Sequence, residues 1–368
     1  MAEIFSPWQM NRLSIPNRLV RSATWEGLAE EDGTPTLDTA NLTAELAEGG
    51  VGLVITGYAF VSPQGRGLPR QTGAHINAMV GPLTRVSDAV HKCGGLVALQ
   101  IVHAGGQTSS QWIGTQPVGP SAMTHPAFRE PVQEMSQGQI EDIIEDFALA
   151  AARAKAAGFD AVQLHGAHGY LINQFLSPNT NQRQDDYGGP LENRARFCYQ
   201  VLEETRAAVG PEFPLFIKLN TDDGLGQEGL QLDEAVQVAA ELSRRGIDAI
   251  EVSGGVPAAG RNSPARAVKE PEDEAYFLAN AVAVKQVVDC PVIVVGGFRS
   301  RDTVEQALEQ VDAVSMSRPF IRQPHLARLW QEGSREKATC ISCGQCFIVA
   351  RKQGLACGQE LKAAAGQE

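Results

Sequence analysis

The chain has 368 residues, 43% of them hydrophobic and 20% charged, with a formal net charge of −12. That balance excludes a disordered chain, and the acidic excess argues against a nucleic-acid binder, whose phosphate contacts need a basic face. No apolar run approaches the roughly 20 residues that cross a bilayer. The start MAEIFSPWQMNRL lacks the basic stretch and apolar core of a secretory leader, so a cytoplasmic location is expected.

In chain order, short runs rich in Val, Ile and Leu fall at 18–23, 51–57, 96–102, 160–165, 214–220, 248–253, 291–295 and 312–316. Most lack polar alternation, as parallel strands buried on both faces do. Helical segments are read at 137–157, 191–209, 232–245, 274–288 and 301–310. Gly94, Gly95, Gly158 and Gly246 fall just past a helix and just before a strand. Eight βα units predict a closed (β/α)8 barrel over 1–333, followed by a cysteine-rich extension over 334–368. A doubly wound sheet fits less well, because no GxGxxG opens the first βα turn and Gly254-Gly255 follows the sixth strand. The long Gly-, Pro- and Ser-rich stretch 104–131 is expected on the active-site face, and the polar tail 361–368 is expected to fray.

Catalytic groups of such barrels sit at the C-terminal ends of the strands. Here those ends carry Thr24 and Trp25, Thr56 to Tyr58, Gln100 and His103, His165, Lys218, Ser253, Gly296 and Gly297, and Ser317 and Arg318. The set lacks the paired carboxylates of a glycosidase and a nucleophile beside a base. It also lacks a cluster of histidines and carboxylates for a metal. Donors, glycines and one lysine suit an anionic cofactor instead. Gly296-Gly297 and Ser317-Arg318 end the seventh and eighth strands, where barrels often bind phosphate through close-approaching amides. Arg318 would add a charge-assisted contact; tight turns are the alternative reading of the glycines. The stretch 165–194 is the most concentrated, with His165, His168 and Tyr170 in one loop after a strand.

Cys93, Cys198 and Cys290 stand singly in apolar or helical surroundings and read as small buried hydrophobes. Cys340, Cys343, Cys346 and Cys357 form C-x2-C-x2-C-x10-C, a metal signature in a reducing compartment. A [4Fe–4S] cluster is the natural occupant, with zinc or empty thiols as alternatives.

Several motifs run colinearly from Asn17 to Pro319. They are Asn17-Arg18-Leu19-Val20, Pro63-Gln64-Gly65-Arg66, Gln100 to Gly105, His165 to Pro178, Tyr187 to Arg194, Val295 to Gly297, and Ser317 to Pro319. In this order they resemble the old yellow enzyme family of flavin-dependent ene-reductases. The resemblance implies FMN as cofactor, with Ala23, Thr24, Trp25, Tyr58, Gln100, Lys218, Gly296, Gly297, Ser317 and Arg318 around it. Gln100 would meet the polar edge of the ring system. Lys218 would lie near the N1–C2 carbonyl, where an arginine is common in the family. The residue facing the flavin O4 falls at Thr24 or Trp25. His165 and His168 would bind the carbonyl oxygen of an α,β-unsaturated substrate, Tyr170 would give the proton, and NAD(P)H would be the hydride donor. Gly106-Gln107 departs from the arginine often found after H-x-G.

The cysteine pattern is similar to the post-barrel cluster of the larger relatives 2,4-dienoyl-CoA reductase and trimethylamine dehydrogenase. There the cluster carries electrons between FMN and a second, nucleotide-binding part of the chain. No counterpart of that part lies within these residues, so an external electron-donor protein is the partner this implies. One alternative is therefore an FMN/[4Fe–4S] reductase of an unsaturated thioester, fed by such a partner. Another is an electron-transfer flavoprotein or redox sensor without an organic substrate, which has no need of the His165, His168 and Tyr170 donors. A homo-oligomer is expected.

Overall fold

Aliphatic runs become eight parallel strands: β1 (Leu19–Arg21), β2 (Leu53–Ile55), β3 (Val97–Val102), β4 (Ala161–Gly166), β5 (Leu215–Asn220), β6 (Ile250–Ser253), β7 (Val292–Val295) and β8 (Ala313–Met316). The computed structural model describes residues 3–366. Each strand pairs in parallel with the next, and β8 returns to β1 through Val314 opposite Leu19, so the ladder closes. The eight strands fall where the sequence predicts them, and the expected (β/α)8 barrel is the fold.

Between the strands lie α1 (Leu37–Glu48), α2 (Val80–Lys92), α3 (Gln137–Ala156), α4 (Leu191–Val209), α5 (Leu232–Arg244), α6 (Leu278–Lys285) and α7 (Arg301–Ala307), with α8 (Leu326–Gln331) after β8. Helix α3 shows why they form. Ser136 and Gln139 make a reciprocal capping box, and Ile140, Ile143, Ile144, Phe147 and Ala151 recur on one buried face. Each large aliphatic or aromatic side chain so buried contributes roughly 1.5–3 kcal/mol. Gly158 and Gly246 then turn the chain at φ 81° and 86°, a region that favours glycine.

Inward-facing residues alternate along each strand. The lowest layer is apolar, with Val20, Leu53, Ala98, Phe216, Ile293 and Ala313 packed together. A hairpin formed by Trp8–Met10 and Leu13–Ile15 plugs this end, burying Trp8, Met10 and Ile15 against that layer. Polar chemistry is thereby confined to the other end.

Two expectations are corrected. The helix read over 274–288 begins only at Leu278, because Ala275 leaves the helical region at φ 55°. Glu274 is committed elsewhere: its carboxylate accepts from the Arg299 and Ser300 amides, both at 2.8 Å. The tail read as frayed from 361 is helical to Ala365 within α10 (Gly358–Ala365), following α9 (Gln345–Gln353); residues 367–368 lie outside the described residues.

The extension lies across the barrel mouth. The Leu355 amide donates to the Glu26 carbonyl at 2.8 Å, and Arg70 donates to the Ala350 carbonyl at 2.9 Å. Gly27 makes the approach possible: its φ is 62°, and a Cβ there would stand 2.5 Å from the Ala350 oxygen.

Candidate active site

Above the apolar floor the barrel interior turns polar. Ser22, Gln100, Gln163, Lys218, Glu251 and Ser315 come from six neighbouring strand positions and bond to one another. Glu251, fully buried, accepts from Ser315 at 2.6 Å and from Ser22 and Gln163 at 2.7 Å. Lys218 donates to the Ser22 hydroxyl at 2.8 Å and lies 3.4 Å from the Glu251 carboxylate. Burial pushes the Lys218 ammonium pKa down, and the Glu251 charge pulls it back up. A charge this deep needs its partner, because removing one member of a buried pair leaves the other uncompensated. Gln100 donates to Gln163 at 2.6 Å and leaves its Oε1 unpartnered. It sits in this interior layer, not in the cavity wall above.

Two adjoining cavities open over the network. The first, about 380 Å³, is bounded by Thr24, Trp25, Lys218, Gly297, Ser317 and Arg318, with Ala23 and Tyr58 also on its wall. Both residues of the ambiguous pair at the end of β1 therefore face it. Thr24 is tied to Ser317, hydroxyl to hydroxyl, at 2.6 Å, whereas the buried indole N–H of Trp25 has no partner. Gly297 is held at φ 76°, and a Cβ would stand 2.7 Å from Tyr276 and from Val268. Gly296 stands one residue back, packed against the backbone of Phe277. These glycines thus let Tyr276 and Phe277 close on the loop, a packing role that goes beyond a simple tight turn. Arg318 donates to the carbonyls of Ser342 and Arg266, at 3.2 and 2.9 Å, which holds its guanidinium at the cavity edge.

The second cavity, about 500 Å³, shares Ala23, Tyr58, His168, Lys218 and Phe347 with the first and adds His165 and Tyr170. The three residues singled out by spacing therefore converge: ring centroids are 5.2 Å apart for His165 and His168, and 4.9 Å for His165 and Tyr170. Tyr58 joins them, accepting from the Tyr170 hydroxyl at 3.1 Å. His168 sits at φ 61°, a strained value for a non-glycine residue. Its loop is pinned from below: the His168 amide donates to Asn220, and the Asn220 and Asn173 amides both donate to the buried Asp223 carboxylate. His168 and Ser253 are in contact at 2.7 Å, whereas Nδ1 of His165 has no partner.

Burial, then His168 and Lys218, hold His165 well below the ordinary histidine value. Burial and Lys218 bring His168 down to about 3. Both imidazoles are therefore neutral at physiological pH and can each donate one N–H. Burial raises the Tyr170 phenol, keeping its proton on, although the bond to Tyr58 works the other way.

The residues present fit a flavin mononucleotide. The first cavity offers a buried cation at its base, an unpartnered indole N–H, and Arg318 with a positive-φ glycine turn at one end. Arg299 reinforces that end, buried with its Nε unpartnered. Cys340, Cys343, Cys346 and Cys357 line one small cleft beside Arg318. All four are free thiols, and among the described residues no three His, Cys, Asp or Glu are drawn together around a single ion point. The second half of the long motif is scaffold: Arg194 bonds the Leu176 carbonyl and Glu234, and Asn181 bonds the Tyr187 carbonyl at 2.7 Å.

Several site residues escaped the sequence reading. Glu251 left a signal, a lone acid inside an apolar strand. Tyr276, Arg299, Phe347 and Arg351 left none, since their elements arrive from distant parts of the chain.

A barrel whose strand ends hold a cationic, cofactor-sized chamber adjoining a donor-lined one is the frame of a cofactor-dependent enzyme. Residues 3–337 match the NADH:flavin oxidoreductase / NADH oxidase family, and the chain belongs to that family. It is 33% identical over 373 residues to a 4,4'-dithiodibutanoate disulfide reductase of Rhodococcus erythropolis, covering 94% of this chain and 92% of that one. It is 34% identical over 345 residues to an NADH oxidase of Thermoanaerobacter brockii, covering 92% and 52%. A solved structure of a 2-naphthoyl-CoA reductase with 2-naphthoyl-CoA superposes with a TM-score of 0.90 at 27% identity, covering 96% of this chain and 56% of that one. The chain thus spans nearly all of the first relative but only about half of the other two. The protein is a flavin-dependent oxidoreductase, as the resemblance to old yellow enzyme implied. Among the described residues no helix is long and apolar enough to cross a membrane.

Proposed function

We propose that the protein is an FMN-dependent reductase of activated C=C bonds in α,β-unsaturated carbonyl compounds. The observation that carries this reading is the convergence of His165, His168 and Tyr170 on a cavity that shares Lys218 with the cofactor-sized chamber. FMN held in the first cavity would supply the hydride chemistry that links reduced nicotinamide to the β-carbon of the alkene. As that hydride arrives, negative charge gathers on the carbonyl oxygen, and the neutral N–H groups of His165 and His168 hold it there. Preorganised donors of this kind are each worth roughly 10²–10³ in rate. Tyr170 delivers its phenolic proton to the α-carbon, a contribution of about 10²–10⁴, and Tyr58 steadies the phenol. Lys218, kept charged by Glu251, sets a fixed positive charge under the cofactor.

Trp25, Thr24, Tyr58 and Ala23 would hold the ring system of FMN, and Gly297, Ser317 and Arg318 its phosphate. Gln100 supports the layer beneath, through Gln163. His165→Ala and Tyr170→Phe, each assayed with a cyclic enone and NAD(P)H, test the assignment; alkene reduction left untouched in both would sink it.

The cysteine cleft supports a second reading of how electrons enter. Cys346 and Arg318 line both that cleft and the cofactor chamber. Cys340, Cys343, Cys346 and Cys357 would hold a [4Fe–4S] cluster, in which each thiolate binds its own iron and the sulfurs need not meet at one ion. Such a cluster supplies one-electron transfer, and an external donor protein would then feed an unsaturated-thioester reductase. Iron analysis of anaerobically purified protein, with NAD(P)H compared against a ferredoxin-like donor, separates the two.

A further inference from the structure

The cavity holding His165, His168 and Tyr170 is lined by sixteen residues, three of them cationic and none acidic. That is an unexpected lining in a chain whose formal net charge is −12. Lys218 has its counter-charge in Glu251, 3.4 Å away. Arg129 and Arg351 have none: among the described residues neither guanidinium makes an ion pair. They are oriented instead by aromatic faces, Arg129 over Trp112 at 4.5 Å and Arg351 over Phe347 at 5.0 Å.

The two arginines come from unrelated parts of the chain. Arg129 lies in the long loop after β3, and Arg351 lies on α9 of the extension. Both reach the same cavity. Arg351 also acts on Tyr58, lowering its phenol against the larger upward push of burial, and Tyr58 in turn touches Tyr170. A stacked guanidinium keeps its planar fork of donors free and pre-oriented, the geometry that suits a carboxylate or a phosphate.

We propose that the substrate is an anion, an activated alkene whose end remote from the reducible bond carries a carboxylate or phosphate gripped by Arg129 and Arg351. This rests on reading the cavity as the site of alkene reduction. A cavity of about 500 Å³ takes a small acid whole. A phosphate-bearing carrier would place only its acyl end inside, with its phosphate at the arginines.

The test uses the holoenzyme and three matched substrates: a cyclohexenone with a short carboxylate side chain, its methyl ester, and a phosphate monoester of the corresponding alcohol. In the wild type, kcat/KM for an anionic substrate should exceed that for the ester by about tenfold or more at low salt. The ratio should fall towards one in Arg351→Met, further in the double variant with Arg129→Met, and also with rising ionic strength. Preference for the carboxylate indicates a free organic acid; preference for the phosphate indicates a carrier-bound substrate. A ratio near one in the wild type, or a ratio that both variants leave unmoved, overturns the proposal. If no alkene is reduced, the function proposed above falls. Calorimetric binding of the saturated carboxylate then decides this point alone: about a tenfold rise in Kd in Arg351→Met supports it, and an unchanged Kd overturns it.

Discussion

Lys218 and Glu251 illustrate how one pair of side chains shapes the site. Both are almost wholly inaccessible, and Glu251 is the only carboxylate in the interior hydrogen-bonded layer described above. Glu251→Ala should cost on the order of 3–5 kcal/mol, because it strands a buried ammonium. Denaturant unfolding checks this, with Glu251→Gln recovering part of the loss through the hydrogen bonds its amide can keep. Histidines drawn into the barrel give a pH signature. His103 and His168 are held at about 3 in the folded chain, against 6.5 for the ordinary imidazole. The unfolded chain therefore binds more protons between those values, so their contribution to stability is present above about 6.5 and is lost as pH falls towards 3. Unfolding measured at pH 7 and pH 5 should show a smaller drop for His103→Asn than for the wild type. That difference isolates the histidine from Asp223 and Glu26, whose raised values act in the opposite direction.

At the scale of elements, the barrel was legible because a strand buried on both faces announces itself by composition. Each of the eight apolar runs became a strand. The helix at 274–288 was misread in its first turn because Glu274 answers to Ser300, a tertiary demand that no local pattern carries. The docking of the extension was not legible either. Its decisive residue, Gly27, lies more than 300 residues away in sequence from Ala350, the residue it accommodates. Gly27→Ala should weaken that docking by roughly 1–2 kcal/mol from the left-handed backbone alone, and by more from the close contact. Limited proteolysis should then cut first in the extension; an unchanged cleavage pattern would mean that the contact matters little.

For the whole molecule, the site was legible where its residues share a loop and obscure where they do not. His165, His168 and Tyr170 are neighbours in sequence, so spacing alone could find them. Phe347 and Arg351 reach the cavities only because the chain doubles back after α8. The same return brings the cysteine cleft beside Arg318, which couples three things: the cysteines, the mouth of the barrel and the proposed phosphate end. If Cys343 helps to hold the proposed [4Fe–4S] cluster, replacing it by Ser should lower bound iron and, by loosening the extension, speed flavin loss on dilution. Flavin retained at the wild-type rate despite iron loss would separate the cluster from the mouth.

Single-turnover oxidation of the pre-reduced holoenzyme by a cyclic enone, followed anaerobically, isolates the step proposed for His165. His165→Ala should slow that oxidation by about 10²–10³, while reduction by nicotinamide stays within a fewfold of the wild type. An enone oxidation rate equal to the wild type would contradict the assignment of His165 to the carbonyl oxygen, and with it the proposed chemistry of the site.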